Sequence, residues 1–334
     1  MRKLGIAFAA ASIAAALAAP SSAEPLKIRV SWATAPSHIT PLLPELPKDV
    51  YRHWGKSYVI EPVFIAGGGA MLTALAANEI EIAGQNYLSL ASSIITAKLD
   101  TRVILGLFAS KPPNADNAFW VKSNSGINKV TDLKGKITAV NGRGSGVDAA
   151  LRKMMRDNAM EEPRDYTVVE LRFPAMLPAL ESGRIDLAFL TTPFNFTVEK
   201  DPRYKPLFTL RDALGPNETL VWETKAEFVQ KNRAALVDMI EDNIRARQWL
   251  YDPKNHDAVV KIVSAVTKVP EESFRGWIFT QKDTYRSMDA SFDVDLLQKN
   301  MDDLHKLGIT PGTIDVKKHS DLSMVAEAKK RLGM

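Results

Sequence analysis

Runs of alternating and helically spaced apolar residues divide this chain into a regular succession of elements. At 26–33, "LKIRVSWA" alternates apolar with polar residues in the period of two expected of a half-buried strand. A helical stretch over 40–54 and a second strand, "SYVIEPVFI" at 57–65, follow it. The same succession returns later as a strand "KITAVN" at 136–141, a helix over 145–159 and a strand "YTVVELRF" at 166–173. Between the two sets lie a helix at 87–98 and a strand, "TRVILGLFA", at 101–109. After an extended segment at 220–228 the pattern turns helical. Val229, Leu236, Ile240 and Ile244, spaced by seven, four and four, share one buried face, and further helices are predicted at 254–267, 270–280, 292–307 and 320–332.

The two sets are copies of one unit. "MLTALAANEIEIAGQ", from Met71, and "MLPALESGRIDLAFL", from Met176, agree at six of fifteen positions, with Glu81 opposite Asp186. Each half reads β-α-β-α-β, an alternation that implies parallel strands with helices on both faces. Two such units make two α/β lobes facing each other across a cleft. Ligands of parallel sheets sit beyond the carboxyl ends of the strands, so the loops at 35–38, 84–87, 142–147 and 191–194 are expected to converge there. The polar, Pro-containing "SKPPNADN" at 110–117 suits one crossing between lobes, and the segment at 220–228 suits the return. The predicted division is residues 24–112 with 225–334 for one lobe and 113–224 for the other, joined by the two strands a hinge needs.

The N-terminus sets the compartment. Arg2 and Lys3 precede an apolar run at 4–19, then Pro20 and small residues up to Ala23, the layout of a secretory signal peptide spanning 1–23. The expected location is therefore the periplasm. The chain has no cysteine, which excludes disulfides, thiolate metal sites, iron–sulfur clusters and Cys nucleophiles. Without Arg2 and Lys3, 41 basic residues stand against 39 acidic ones, no footprint for nucleic acid. The 311 residues after position 23 exceed what one core of roughly 250–300 residues serves, in keeping with two lobes.

Candidate chemistry concentrates in "GRGSG" at 142–146, between a strand and a helix. Glycines let backbone amides approach a ligand, and a helix start carries about half a positive charge, so this junction suits an anion. The amides of Ser145, Gly146 and Val147 and the Ser145 hydroxyl are the expected donors, with Arg143 adding charge. A bend in which the glycines serve the backbone alone is the competing reading. Gly144, Gly146 and Ala149 also fit a dinucleotide fingerprint, but that register leaves Gly142 and Arg143 surplus and places Asp148 in the first helical turn, against a pyrophosphate. No Lys-Ser or Lys-Thr follows the glycines, which excludes a P-loop. The five histidines show no metal-binding spacing, and no nucleophile elbow occurs, so neither cofactor nor metal is expected.

"VKSNSGINKVTDLKGKITAVNGRGSG" at 121–146 and "LPALESGRIDLAFLTTPF" at 177–194 resemble the substrate-binding proteins of ABC importers of the sulfonate, taurine and nitrate type. The resemblance covers most of the chain after residue 23, and its "DLKGK" phrase is fairly specific. It implies the type II periplasmic binding protein fold, two α/β lobes around a ligand cleft, and a monomer that delivers a small solute to a membrane permease. Thr192-Pro193 stands where that family often has an acid before proline, and Asn78 where it usually has glycine. Lacking that acid, the cleft suits a plain anion better than an amine-bearing solute such as taurine.

The other candidates follow from position. Ser37 and His38 come just after the first strand, and a neutral imidazole there can donate to the solute. Trp32 and Tyr87 could stack on an organic solute. Gln85 and Asn86 stand where the third strand meets a helix, Thr191 and Thr192 in the matching loop of the second lobe, Trp222 where the return strand borders the cleft, and Glu223 where a hinge ion pair would lie. The leading expectation is an exported solute-binding protein rather than an enzyme, capturing a small organic anion such as a sulfonate or carboxylate. The alternatives are an enzyme acting on a small anion in the same cleft and a sensor docking on a membrane receptor.

Overall fold

A computed structural model describes residues 24–334, and the predicted export segment, 1–23, lies outside them. Two five-stranded sheets organise the fold. The first holds β1 (Leu26–Trp32), β2 (Tyr58–Phe64), β3 (Ile82–Gln85), β4 (Thr101–Ser110) and β10 (Asn217–Lys225), in the order β2-β1-β3-β10-β4. The second holds β5 (Ala118–Lys122), β6 (Ile137–Val140), β7 (Thr167–Glu170), β8 (Leu187–Leu190) and β9 (Tyr204–Thr209), in the order β7-β6-β8-β5-β9. In each, four strands run one way and one runs against them: β10 between β3 and β4 in the first sheet and β5 between β8 and β9 in the second. The sheets are therefore mixed rather than parallel throughout, because in each the reversed strand enters from an interlobe crossing.

The helices follow the predicted alternation. α1 (Gly68–Ala76) and α2 (Tyr87–Ala91) serve the first sheet, and α3 (Gly146–Asp157), α4 (Phe173–Glu181), α5 (Asn195–Val198) and α6 (Leu210–Leu214) the second. α7 (Ala226–Tyr251), α8 (His256–Thr267) and α10 (Ser323–Arg331) bury Ile240, Val260 and Val325 in one core with Ile28 and Ile104 of the first sheet, while α9 (Val294–Lys306) packs on α2 and β10. All four apolar positions read onto the α7 face, from Val229 to Ile244, are buried.

Three expectations change. The segment 40–54 contains Pro41, Pro44 and Pro47, which break backbone hydrogen bonding, and only two 3-10 turns form, Thr40–Glu45 and Lys48–Val50. Over 270–280 a single short turn, Glu271–Ser273, is regular; Gly276 interrupts the helical spacing and Phe279 takes a left-handed backbone, φ 52°. The return crossing precedes β10, since that strand pairs within the first sheet from Asn217 onward, so the chain changes lobes ahead of 220–228.

The internal repeat is visible in the bonding. Glu81 and Asp186, aligned in the two copies, each accept a backbone N–H from the neighbouring first strand, Arg29 at 2.7 Å and Ile137 at 2.9 Å. Asn78 and Gly183, also aligned, both have positive φ, 59° and 73°. Asn78 is thus a residue that tolerates the left-handed turn that glycine serves in the second copy.

One carboxylate fastens both crossings. Asp116 accepts from the Ser110 hydroxyl at 2.9 Å and the Asn117 amide at 3.0 Å on the outgoing segment, and from the Arg211 amide at 2.8 Å on the returning one.

Candidate functional site

Between the two sheets lies a cavity of about 120 Å³, walled by both lobes. The four expected loops all reach it: Ser37 and His38 from the first, Gly84, Asn86 and Tyr87 from the second, Ser145, Gly146 and Val147 from the third, and Thr191 from the fourth. Positions equivalent in the two copies line it from the two lobes. Gly68 and Phe173, Gly84 and Phe189, and Asn86 and Thr191 are aligned pairs, each 105 residues apart, and every member lines the cavity. The repeat thus explains why two separate stretches of sequence build one site.

Two helices of opposite lobes begin at this cavity. Ser145 caps α3, its hydroxyl accepting the Asp148 amide at 3.2 Å, and its own amide donates to the Gly142 carbonyl at 3.2 Å. The Ser145 amide is therefore engaged, contrary to the sequence expectation, whereas the amides of Gly146 and Val147, at the first two helical positions, have no intrahelical acceptor. On the other wall α1 starts at Gly68, behind Gly67 with φ 88°. A Cβ on Gly68 would meet the side chain of Ser89, so only glycine lets this helix start come so close to α2. Asp148, buried in the first turn of α3, is balanced by the Gly144 amide at 2.9 Å and Arg152 at 3.1 Å.

Among the described residues, no side chain lining the cavity carries a formal charge. His38 is the nearest to an exception. Burial, reinforced by the nearby Arg286 guanidinium, lowers its pKa to about 4, so the imidazole is neutral at ordinary pH. Its Nδ1 is buried without a partner, and the ring edge lies against the bare Cα of Gly84, where an added Cβ would stand 3.1 Å from Cε1. A lone pair is tolerated there better than an unpaired N–H, which favours the tautomer carrying its proton on Nε2. Arg286 holds this turn in place: fully buried and paired with Asp283 at 2.9 Å, it donates to the carbonyls of Pro36 and Ser37 at 3.3 and 3.2 Å. The rest of the lining is polar but neutral, or apolar: Thr34, Asn117, Asn141 and Thr284 beside Met71, Phe108, Phe173, Phe189 and Leu210.

Five predicted residues do not line the cavity. Trp32 stacks edge-on against Phe64, ring centres 5.0 Å apart. Gln85 is fully buried beside the carboxyl of Glu223. Arg143 turns outward to grip Glu162 through two contacts of 2.6 Å, a carboxylate that captures its charge. Thr192 donates its amide and hydroxyl to the Asn117 carboxamide oxygen, both at 3.2 Å, and so orients a lining residue without being one. Trp222 belongs to the core of the first lobe. Glu223 forms no hinge ion pair; it is buried, accepting hydroxyls from Ser93 and from Thr101 at 2.5 Å, and burial pushes its pKa up to about 7.

Sequence reasoning missed the start of α1. "GGGAM" at 67–71 places glycines directly before a repeat helix, the same signal that drew attention to 142–146. The aromatic wall from Phe108, Phe173 and Phe189 carried no such signal, since an apolar residue at a strand or helix end reads as core.

Known proteins align with this arrangement. A taurine-binding periplasmic protein of Escherichia coli (strain K12) is 25% identical over 219 residues, a segment spanning 63% of this chain and 65% of that protein's length. The nitrate-binding protein NrtA from Synechocystis PCC 6803 superposes with a TM-score of 0.70 at 16% identity, over 92% of this chain and 89% of that one. The alkanesulfonate-binding protein SsuA from Xanthomonas axonopodis pv. citri, bound to MOPS, superposes with a TM-score of 0.67 at 17% identity, over 90% of this chain and 99% of that one. The fold is the two-lobe periplasmic binding protein fold that the sequence motifs implied. The NMT1-like family matches residues 21–264, most of the chain, and to that family this protein belongs.

Proposed function

We propose that the protein is an exported solute-binding component of an ABC importer, capturing a small organic anion, a sulfonate or carboxylate, and passing it to a membrane permease. The observation that carries this reading is the meeting of two helix N-termini, α1 and α3, from opposite lobes at one cavity. Each supplies about half a positive charge and unpaired amides, so an anion between them is held by both halves at once. Ser37, His38, Asn86, Ser145, Gly146, Val147 and Thr191 are the proposed contacts. The lobes comprise residues 24–112 with the C-terminal helices, and the region around the second sheet. They close on the solute by bending at the two crossings, and the chain acts as a monomer after loss of residues 1–23. Among the described residues no helix is long and apolar enough to cross a membrane.

Ser145→Asp tests the reading. Aspartate caps a helix as well as serine does, so the fold is retained, but its charge occupies the anion's place. Wild type should gain about 2.7 kcal/mol from an anion at one hundred times its dissociation constant, visible as a raised melting point, and the variant should gain nothing. An unchanged anion-induced shift in Ser145→Asp would refute capture at this helix start.

A further inference from the structure

The cavity's charge and shape narrow the solute further than the fold does. Resting on the reading of the cavity as an anion site, we propose that the preferred solute is a singly charged aromatic acid without an amino group.

The charge count gives the first half. Two helix starts of about half a charge each amount to roughly one positive charge; the buried Asp148 carboxylate in the first turn of α3 is met by the Gly144 amide and Arg152, the Arg286 guanidinium behind His38 is met by Asp283, and no lysine, arginine, aspartate or glutamate among the described residues lines the cavity itself. His38, buried, lines the same space as a neutral group, its unpartnered Nδ1 on the edge turned toward the bare Cα of Gly84. One negative charge is therefore matched. A second would be buried uncompensated, which weakens binding by roughly a hundredfold or more, and an ammonium group would meet no carboxylate.

The walls give the second half. Phe108 on the first lobe stands edge-to-face with His38, ring centres 6.5 Å apart. On the second lobe Phe189 is fixed by Phe119 at 5.0 Å and by Phe173 at 6.0 Å. A flat ring between rings of opposite lobes adds face and edge contacts that an alkyl chain cannot match, and the neutral donors at the helix starts then take its acidic head.

Calorimetric titration of the full chain after residue 23 tests this with six probes: benzoate, benzenesulfonate, methanesulfonate, phthalate, taurine and nitrate. Benzoate or benzenesulfonate should bind at least about tenfold more tightly than any of the other four. Phe108→Leu and Phe173→Leu, which keep bulk and remove a ring, should each cut that preference severalfold, weakening benzoate and benzenesulfonate more than methanesulfonate. Phthalate, taurine or methanesulfonate binding as tightly as benzenesulfonate would overturn the aromatic monoanion assignment while leaving anion capture standing. Binding of none of the six would overturn both.

Discussion

Glu223→Gln gives the sharpest test of how the first lobe is held together. In the folded protein burial lifts this carboxyl to about 7, against an ordinary value of 4.5. The folded state therefore keeps the proton to higher pH than the unfolded chain. Its contribution to stability is fully present below about pH 4.5, is lost as the pH rises through 7, and stays lost above that. At about 1.4 kcal/mol per unit, the loss is about 3 kcal/mol. His38 acts in the opposite sense: with its folded pKa lowered to about 4, its contribution is present above 6.5 and lost as the pH falls. The two slopes overlap between pH 4.5 and 6.5 and largely cancel in the wild type, which hides both. Glutamine keeps the oxygen that accepts the Ser93 and Thr101 hydroxyls and has no charge to bury. In urea unfolding followed by tryptophan fluorescence, the variant should be close to wild type at pH 4.5 and more stable by about 3 kcal/mol at pH 8. A stability difference that does not change across that range would refute a buried carboxyl ionising near neutrality.

Two further outcomes follow from the packing. Gly68→Ala drives a methyl group into Ser89 and should cost about 1–3 kcal/mol and displace Asn86 from the cavity wall; adding Ser89→Ala should recover part of both stability and anion affinity, measured by thermal unfolding and calorimetry. Asp242, fully buried, accepts the amides of Arg52, His53 and Trp54 at 2.8–3.0 Å and the Tyr58 hydroxyl at 3.0 Å, so Asp242→Ala should lower stability by about 3 kcal/mol, read as a lower urea midpoint at unchanged slope.

Much of the architecture was legible because it is written twice. The aligned segments at 71–85 and 176–190 fixed the order of elements, and the loops after corresponding strands do meet at one cavity. What resisted reading has physical causes. β5 and β9 are short strands whose place depends on partners far along the chain, and β10 looks like an end of the second lobe until its hydrogen bonds to β3 and β4 are seen. Arg143 sits in the right loop, but its direction is decided by Glu162, nineteen residues away, which no local pattern reveals. Gln85 ends β3 and Trp222 stands mid-way along β10, both near the cleft, yet both face the core, because a single step along a strand reverses the side chain.

The shared anchor at Asp116 ties the two crossings to each other. A molecule joined by one flexible tether could swivel freely; here two chain segments are pinned to the same carboxylate, from Ser110 and Asn117 on one side and Arg211 on the other. Asn117 and Arg211 both border the second sheet, whereas Ser110 ends β4 of the first, so the carboxylate links the last residue of one sheet to the chain entering and the chain leaving the other. If the halves open and close about these crossings, as proposed, a distance label beside Asp116 would report little of the movement and one at the far rim most of it.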